Sequence, residues 1–281
     1  MTPALTEKHQ RLKTLLEATG GALVAFSGGV DSGLLLKVAV DVLGDRALAV
    51  TAVSPIHSAF EAEEATCLAG EIGARHRLIE VNPLADDHVA ANPPDRCYHC
   101  KRALFTGLME LARQEGLGAV VEGSNVDDRG DYRPGERALA ELGVRSPLRE
   151  AGFTKAEVRE LSRELGLSNW EKPPYACLAT RIPYGEKLTP KRLQRIDAAE
   201  RFLREMGLKQ VRVRDHGTVA RIEAPPADLE MLARGENRAR IVSQLRTLGY
   251  DFVTLDLEGY RSGSMNVGVE LQPETHEAGS S

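Results

Sequence analysis

Short strand-like runs at residues 22–26, 47–53, 76–81 and 119–122, apolar except for the mixed 76–81, alternate with longer stretches, 34–43, 59–72 and 101–114, whose apolar positions recur at helical spacing. Short apolar runs between amphipathic helices are the signature of buried parallel strands joined by helical crossovers. The expected fold class is therefore α/β, a doubly wound parallel sheet. On such sheets ligands bind beyond the carboxyl ends of the strands, where the strand order reverses. Segments 27–32, Ser54-Pro55 and 123–128 each follow a predicted strand, so they should converge on one edge of the sheet. Residues 154–165 predict a further helix, with Thr154 as its cap and Glu157 at capping-box spacing.

The rhythm stops at Lys172-Pro173-Pro174, since the residue before a proline is pushed toward extended backbone. From Tyr184 the pattern becomes helix (190–205), strand (210–214), strand (219–223), helix (227–248, with Gly235 as a candidate break) and strand (252–255). That order predicts a small α+β unit and not an extension of the first sheet. The expected organisation is a first domain over 1–183, a smaller C-terminal domain over 184–271, to which the family resemblance given below assigns substrate binding and oligomerisation, and a polar tail, 272–281, that stays disordered.

Composition narrows the class. The chain has 281 residues, 42% of them hydrophobic, and a net charge of −5. That is globular, but the acidic balance disfavours a general nucleic-acid surface. No apolar run reaches membrane-spanning length, and residues 1–10 lack the apolar core of a signal peptide. A cytoplasmic enzyme without membrane partners is expected. Four cysteines, two of them in a C-x-x-C, suggest metal or redox chemistry before a disulfide framework.

The chemistry starts at Ser27-Gly28-Gly29-Val30-Asp31-Ser32, between a predicted strand and a helix start. Such a turn aims backbone N–H groups and two hydroxyls at one spot, where the helix N-terminus favours an anion. Gly28 and Gly29 let a phosphate approach the backbone. The Gly-Lys-Ser/Thr of a Walker loop is missing. The segment resembles the PP-loop of the ATP pyrophosphatases, which implies a grip on the leaving pyrophosphate of ATP with the α-phosphate exposed to attack. Asp31 suits either a helix cap or a Mg2+ ligand. Asp127 and Asp128 carry the same two readings.

Cys97 and Cys100 bracket Tyr98-His99, and Cys177 lies in Tyr175-Ala176-Cys177-Leu178-Ala179-Thr180-Arg181. Lys172 and Arg181 would lower the Cys177 thiol pKa if they lie close to it. Cys67 sits in a helical pattern and reads as buried and inert. Cys97, Cys100 and Cys177 have three readings: structural thiols, a zinc site completed by His99 or Cys67, or ligands of a 4Fe-4S cluster with one open iron. His99, between two cysteines, reads as a neighbour of the site or a surface residue. Arg212 and Arg214 are two apart on a predicted strand and share a face. They suit a phosphate, or else form a charged edge strand.

The PP-loop, the segment 123–128 with Asp131-Tyr132-Arg133-Pro134-Gly135, and the segment 172–185 together resemble the LarE family over nearly the whole chain. That resemblance implies an ATP-dependent sulfur transferase of nickel-pincer cofactor biosynthesis, acting on pyridinium-3,5-biscarboxylic acid mononucleotide. It implies that Ser27, Gly28, Gly29, Val30, Asp31 and Ser32 bind the ATP phosphates with Mg2+, that Ser54 and Gly123 flank the adenosine, and that Arg212 and Arg214 bind the substrate phosphate. Cys177, Arg181 and Glu200 are its implied catalytic residues. In one branch of the family the cysteine matching Cys177 gives up its own sulfur. Because Cys97 and Cys100 are also present, the chain resembles the branch in which three cysteines hold a 4Fe-4S cluster that delivers sulfide. The implied partners are the pyridinium mononucleotide, sulfide or another sulfur donor, and further copies of the chain in rings of three or six. A PP-loop tRNA thiolase is the alternative.

Overall fold

The computed structural model describes residues 1–128, 134–261 and 263–265. The segment Asp131-Tyr132-Arg133 and the 272–281 tail lie outside the described residues.

The first sheet consists of β1 (Ala22–Ala25), β2 (Ala47–Val53), β3 (Arg75–Glu80) and β4 (Ala119–Val121), all parallel, in the order β3-β2-β1-β4. The helices are α1 (Pro3–Glu17), α2 (Val30–Leu43), α3 (Ala59–Ile72), α4 (Asp87–Ala90), α5 (Arg96–Gln114), α6 (Pro134–Glu141), α7 (Pro147–Glu150) and α8 (Lys155–Glu164). Alternation along the strands splits the core into two layers. Ala22 and Val24 of β1, with Ala47 and Ala49 of β2, pack under α1, α2, α3 and α8. Leu23, Leu48 and Val50 pack on the other face against Phe105, Leu108 and Ala112 of α5. The inner strands β1 and β2 are thus covered on both sides, as their apolar runs predict, whereas the edge strand β3 is largely exposed. The order reverses at β1, so the turns after β1 and β4 flank the crevice where such sheets bind ligands.

The second region has α9 (Pro190–Glu205), β5 (Arg212–His216), β6 (Val219–Glu223), α10 (Pro226–Ala233), α11 (Gly235–Thr247) and β7 (Phe252–Leu255). Its sheet, β5-β6-β7, pairs antiparallel and then parallel, over a core of its own that includes Val211, Val213, Ile222, Leu245 and Tyr250. A break at Gly235 separates α10 from α11, as expected. The Thr154–Glu157 capping box is present at α8.

Two expectations need correction. α5 starts at Arg96, not Lys101, so Cys97 and Cys100 lie in its first turns. Cys67 is exposed and not buried. On α3 the inward positions are Ala65, Leu68 and Ala69, and Cys67, one residue from Leu68, faces away from the core.

Candidate functional site

β1 hands over to α2 through the Ser/Gly turn. Gly28 has φ +68°, and Gly29 is the N-cap of α2. The two hydroxyls brace the turn: Ser27 Oγ lies 3.1 Å from Ser32 Oγ, and the Gly29 N–H donates to Ser27 Oγ at 3.4 Å. The carbonyls are engaged from outside. Asn169 Nδ2 donates to the Gly28 and Gly29 oxygens at 3.3 and 3.0 Å, and Lys172 Nζ donates to the Gly28 oxygen at 3.0 Å while pairing with Glu64. Ser27, Gly29, Asp31 and Ser32 line a cavity of about 670 Å3 beyond the carboxyl ends of the strands. Ser54 and Gly123 are in the same wall. A Cβ on Gly123 would sit 2.9 Å from the Ser32 nitrogen, so a glycine is required for β4's exit to meet the start of α2. Gly28 and Val30 are outside the lining. Gly28 packs on the Ala65 backbone, and Val30 is core.

Carboxylates dominate the charge of this wall: Asp31, Glu61, Glu122, Asp128 and Asp197, against a single Lys/Arg side chain, Lys101, among the described residues. Burial pushes the Glu61 carboxyl up. Asp31 accepts from Asn125 Nδ2 at 3.0 Å and pairs with Lys155. The Asp127 carboxylate accepts the Lys155 N–H and that of Asp128 the Asn125 N–H, each at 2.8 Å. A wall this acidic accommodates a polyphosphate when Mg2+ bridges the two sets of anions, and hard oxygen donors of this kind suit that ion. None of Glu61, Lys101, Asn169 and Asp197 carried a signal in the sequence.

Cys177 lines the same cavity. Its segment is fixed on both sides: the Leu178 N–H donates to the Ile56 oxygen at 2.8 Å, and Arg181 Nη1 donates to the Ala176 and Cys177 oxygens at 2.8 and 3.1 Å. The same guanidinium makes a bidentate pair with Glu200, at 2.8 and 3.1 Å, with both side chains essentially sealed from solvent. Glu200 also accepts from Arg204 and from the Val213 N–H. Arg181 and Glu200 are outside the cavity lining and act on the Cys177 loop through its backbone.

Cys100 and Cys177 pack against one apolar cluster that includes Ile56, Leu178 and Leu193. Burial and the nearby Cys177 and Cys97 push the Cys100 thiol up to about 12. Burial also raises the Cys177 thiol, outweighing Arg96 and Arg181, whose charges act in the lowering direction. Lys172 is committed to Gly28 and Glu64, and Arg181 to Glu200. The cation nearest the sulfurs is Arg96, whose Nη2 lies 3.8 Å from the Cys97 sulfur and whose charge also acts on Cys177. The three sulfurs do not form a set within 4.8 Å of one another, the spacing one ion demands. Cys100 and Cys177 share one apolar cluster and the charges of Cys97 and Cys177 act on Cys100, so the three thiols lie in one neighbourhood. His99 turns to Asp95 instead.

The comparisons with known proteins decide the family. The chain is 43% identical over 264 residues to the pyridinium-3,5-bisthiocarboxylic acid mononucleotide synthase of Lactiplantibacillus plantarum, covering 93% of this chain and 95% of that enzyme. The chain belongs to the LarE family. It is 45% identical over 262 residues to an uncharacterized protein of Synechocystis, covering 93% and 98% of the two chains. A tRNA-specific 2-thiouridylase, MnmA of Rhizobium etli, is 28% identical over 188 residues, spanning 52% of this chain and 46% of its own. No protein-family model matches the chain.

LarE membership makes the chain a PP-loop enzyme, for which ATP and Mg2+ are the implied cofactors. Among the described residues no helix is long and apolar enough to cross a membrane. The resemblance to LarE carries Arg212 and Arg214 as a pair, but their surroundings differ. Arg214 pairs with Glu223 at 2.6 Å, whereas Arg212 donates to the Val211 and Pro174 oxygens and has no carboxylate partner among the described residues. Burial and neighbouring Arg181 push the Arg212 guanidinium down, against the opposing charge of Glu200.

The PP-loop leaves no room for a side chain at Gly28, where a Cβ would approach the Ala65 Cα to 2.9 Å at a positive φ. Gly28→Ala is expected to weaken ATP binding at least about tenfold, since the αL penalty alone is ~1–2 kcal/mol. Calorimetric titration with ATP and Mg2+ checks this, and unchanged affinity would show that the turn tolerates a different conformation.

Proposed function

We propose that this chain is an ATP-dependent sulfur transferase that converts pyridinium-3,5-biscarboxylic acid mononucleotide to its thiocarboxylic forms. One observation carries the reading: the Ser27–Ser32 turn and Cys177 line one cavity. A substrate carboxylate oxygen attacks the α-phosphorus of ATP, the bond to the β-phosphate bridging oxygen breaks, and pyrophosphate leaves. Ser27, Gly29 and Ser32 hold the departing pyrophosphate at the N-terminus of α2, where the aligned backbone dipoles favour negative charge. Asp31 and Asp128 are the proposed Mg2+ carboxylates. Adenylation replaces a poor leaving group, carboxylate oxygen, with AMP. A sulfur nucleophile then attacks the carbonyl carbon, and the C–O bond to AMP breaks.

Cys97, Cys100 and Cys177 are the proposed ligands of a 4Fe-4S cluster, which when bound supplies an open iron for an added sulfide. Arg96 lies beside Cys97, and its charge opposes the effect of burial on Cys177. Arg181 and Glu200 hold the Cys177 backbone in position. The division of labour proposed is 1–183 for nucleotide and thiol chemistry and 184–271 for the substrate, with Arg212 and Arg214 facing its phosphate. The second reading is sacrificial transfer: Cys177 is the one thiol of the trio in the cavity wall. In that case Cys177 forms the thioester, its Cα proton is removed, and its Cβ–S bond breaks to leave dehydroalanine.

Pyrophosphate release that requires the pyridinium mononucleotide tests the enzyme reading, and release stimulated by tRNA instead would favour the thiolase. Arg212→Ala is expected to raise the KM for the mononucleotide more than about tenfold, the worth of a charge-assisted pair, and to leave ATP affinity unchanged. Equal KM values in variant and wild type would remove Arg212 from phosphate binding.

A further inference from the structure

Outside the cavity, one group of side chains has no part in the chemistry above. His88 Nε2 lies 3.1 Å from Asp95 Oδ1, and His99 Nε2 lies 3.2 Å from Asp95 Oδ2. Among the described residues this is the set of three His, Cys, Asp or Glu donors whose atoms all lie within 4.8 Å of one another. The two imidazole rings are 4.2 Å apart, centre to centre. Both therefore present a nitrogen to the same carboxylate from the same side.

The backbone beneath is held rigid, although the group is at the surface. The Asp86 carboxylate accepts the His88 N–H at 2.8 Å, fixing the start of α4. The Ala90 oxygen accepts from the Leu188 N–H at 2.8 Å, and the Asn92 oxygen from the Gly185 N–H at 2.9 Å. Asn92 is fully buried at φ +60°, the sole non-glycine residue with positive φ among the described residues. Its Nδ2 donates to the Ile182 and Pro183 oxygens at 3.3 and 2.8 Å. Asn/Asp tolerate this backbone region better than other side chains, but it is still costly. The segment from α4 to Asp95 is thus strapped to the chain following Cys177, and that strap brings His88 over His99. Asp95 and His99 are one turn apart at the start of α5, hence on one face.

We propose that His88, Asp95 and His99 form a binding site for a divalent transition-metal ion of the zinc, cobalt or nickel type, separate from the three thiols. Imidazole nitrogen with one carboxylate is the donor set such ions prefer, and three protein ligands leave a position open to water. Magnesium and calcium, which take oxygen donors, do not fit. The site does not share ligands with the cysteines: at about 100° per residue, His99 points about 100° away from Cys100 and about 200° from Cys97 around the helix. An ion there would tie α4 to the first turn of α5, the turn that carries Cys97 and Cys100.

The test is a zinc and cobalt count on chain freed of any affinity tag and stripped with chelator. Wild type and the exposed-site variants His88→Ala and His99→Ala are compared by competition against a chromophoric chelator. Each variant is expected to bind about one Zn2+ fewer per chain than wild type. The Cys97→Ser/Cys100→Ser/Cys177→Ser chain is expected to retain one Co2+, with visible bands of nitrogen and oxygen ligation and no sulfur charge-transfer band. Adding His88→Ala should abolish that binding. Equal zinc counts in wild type and both histidine variants would overturn the proposal, as would Co2+ binding in the triple-serine chain that persists after His88→Ala. If the triple-serine chain fails to fold by circular dichroism, the zinc counts on the histidine variants decide alone.

Discussion

Glu200→Gln is expected to destabilise the folded chain by about 3–5 kcal/mol, lowering the melting temperature by on the order of 10 °C. Glu200 has no solvent exposure and answers two guanidiniums, Arg181 and Arg204, as well as the Val213 N–H. Removing its charge leaves Arg181, itself 2% exposed, as a buried cation without a counter-ion. Replacing both members, Arg181→Met with Glu200→Met, should recover part of the loss, because no unpaired charge then remains between them. The acid limb of the stability curve should change as well. Burial by itself would raise the Glu200 carboxyl, but Arg181, Arg212 and Arg204 hold it below its ordinary value. The stabilisation is therefore complete above the unfolded-state value near ~4.3 and is lost as pH falls through the lower folded value. Wild type should lose more stability than Glu200→Gln on acidification. Urea unfolding of both chains at neutral and acid pH measures this, and a difference below about 1 kcal/mol at neutral pH would show that the pair does not hold the Cys177 loop in place.

Much of this architecture was legible because its signals are local. Strands covered on both faces have no polar side, so 22–26 and 47–53 stand out as apolar runs. The capping box at Thr154 and the break at Gly235 are likewise written in adjacent residues. What was not legible depends on partners far along the chain. Nothing near Lys172 indicates that its ammonium reaches Gly28, 144 residues away, or that Asn169 secures the same loop. Proximity in sequence suggested that Lys172 activates Cys177, and tertiary packing sent it elsewhere. The start of α5 precedes the expected Lys101 because a turn, in which the Pro93 oxygen accepts the Arg96 N–H, places Asp95 at the N-cap position. β5 begins two residues later than expected, yet Arg212 and Arg214 still share a face, since a shift of two preserves the alternation.

Anaerobic reconstitution with iron and sulfide is expected to give a brown protein that makes thiocarboxylate repeatedly when sulfide is supplied, and Cys100→Ser is expected to reduce both iron content and product per chain by more than about tenfold, as loss of one thiolate ligand should. The reason lies in the environment of the thiols. Cys100, pushed up to about 12 by burial and by its neighbouring sulfurs, carries its proton at neutral pH. A buried thiol of that kind is a poor nucleophile by itself. A cationic centre displaces the proton and turns the same low-polarity site into a tight ligand pocket, so loading should release protons and iron retention should fall as pH falls. Sacrificial transfer makes the opposite demand. It needs Cys177 and neither Cys97 nor Cys100, so Cys100→Ser would still give about one product per chain, as one sulfur per Cys177 requires. The spent chain would be lighter by about the mass of hydrogen sulfide at Cys177. Iron analysis, turnover number and intact mass on the same anaerobic sample separate the two. A colourless chain that stops after one product with that mass loss would overturn delivery from a cluster, while repeated turnover at unchanged mass would exclude sacrifice.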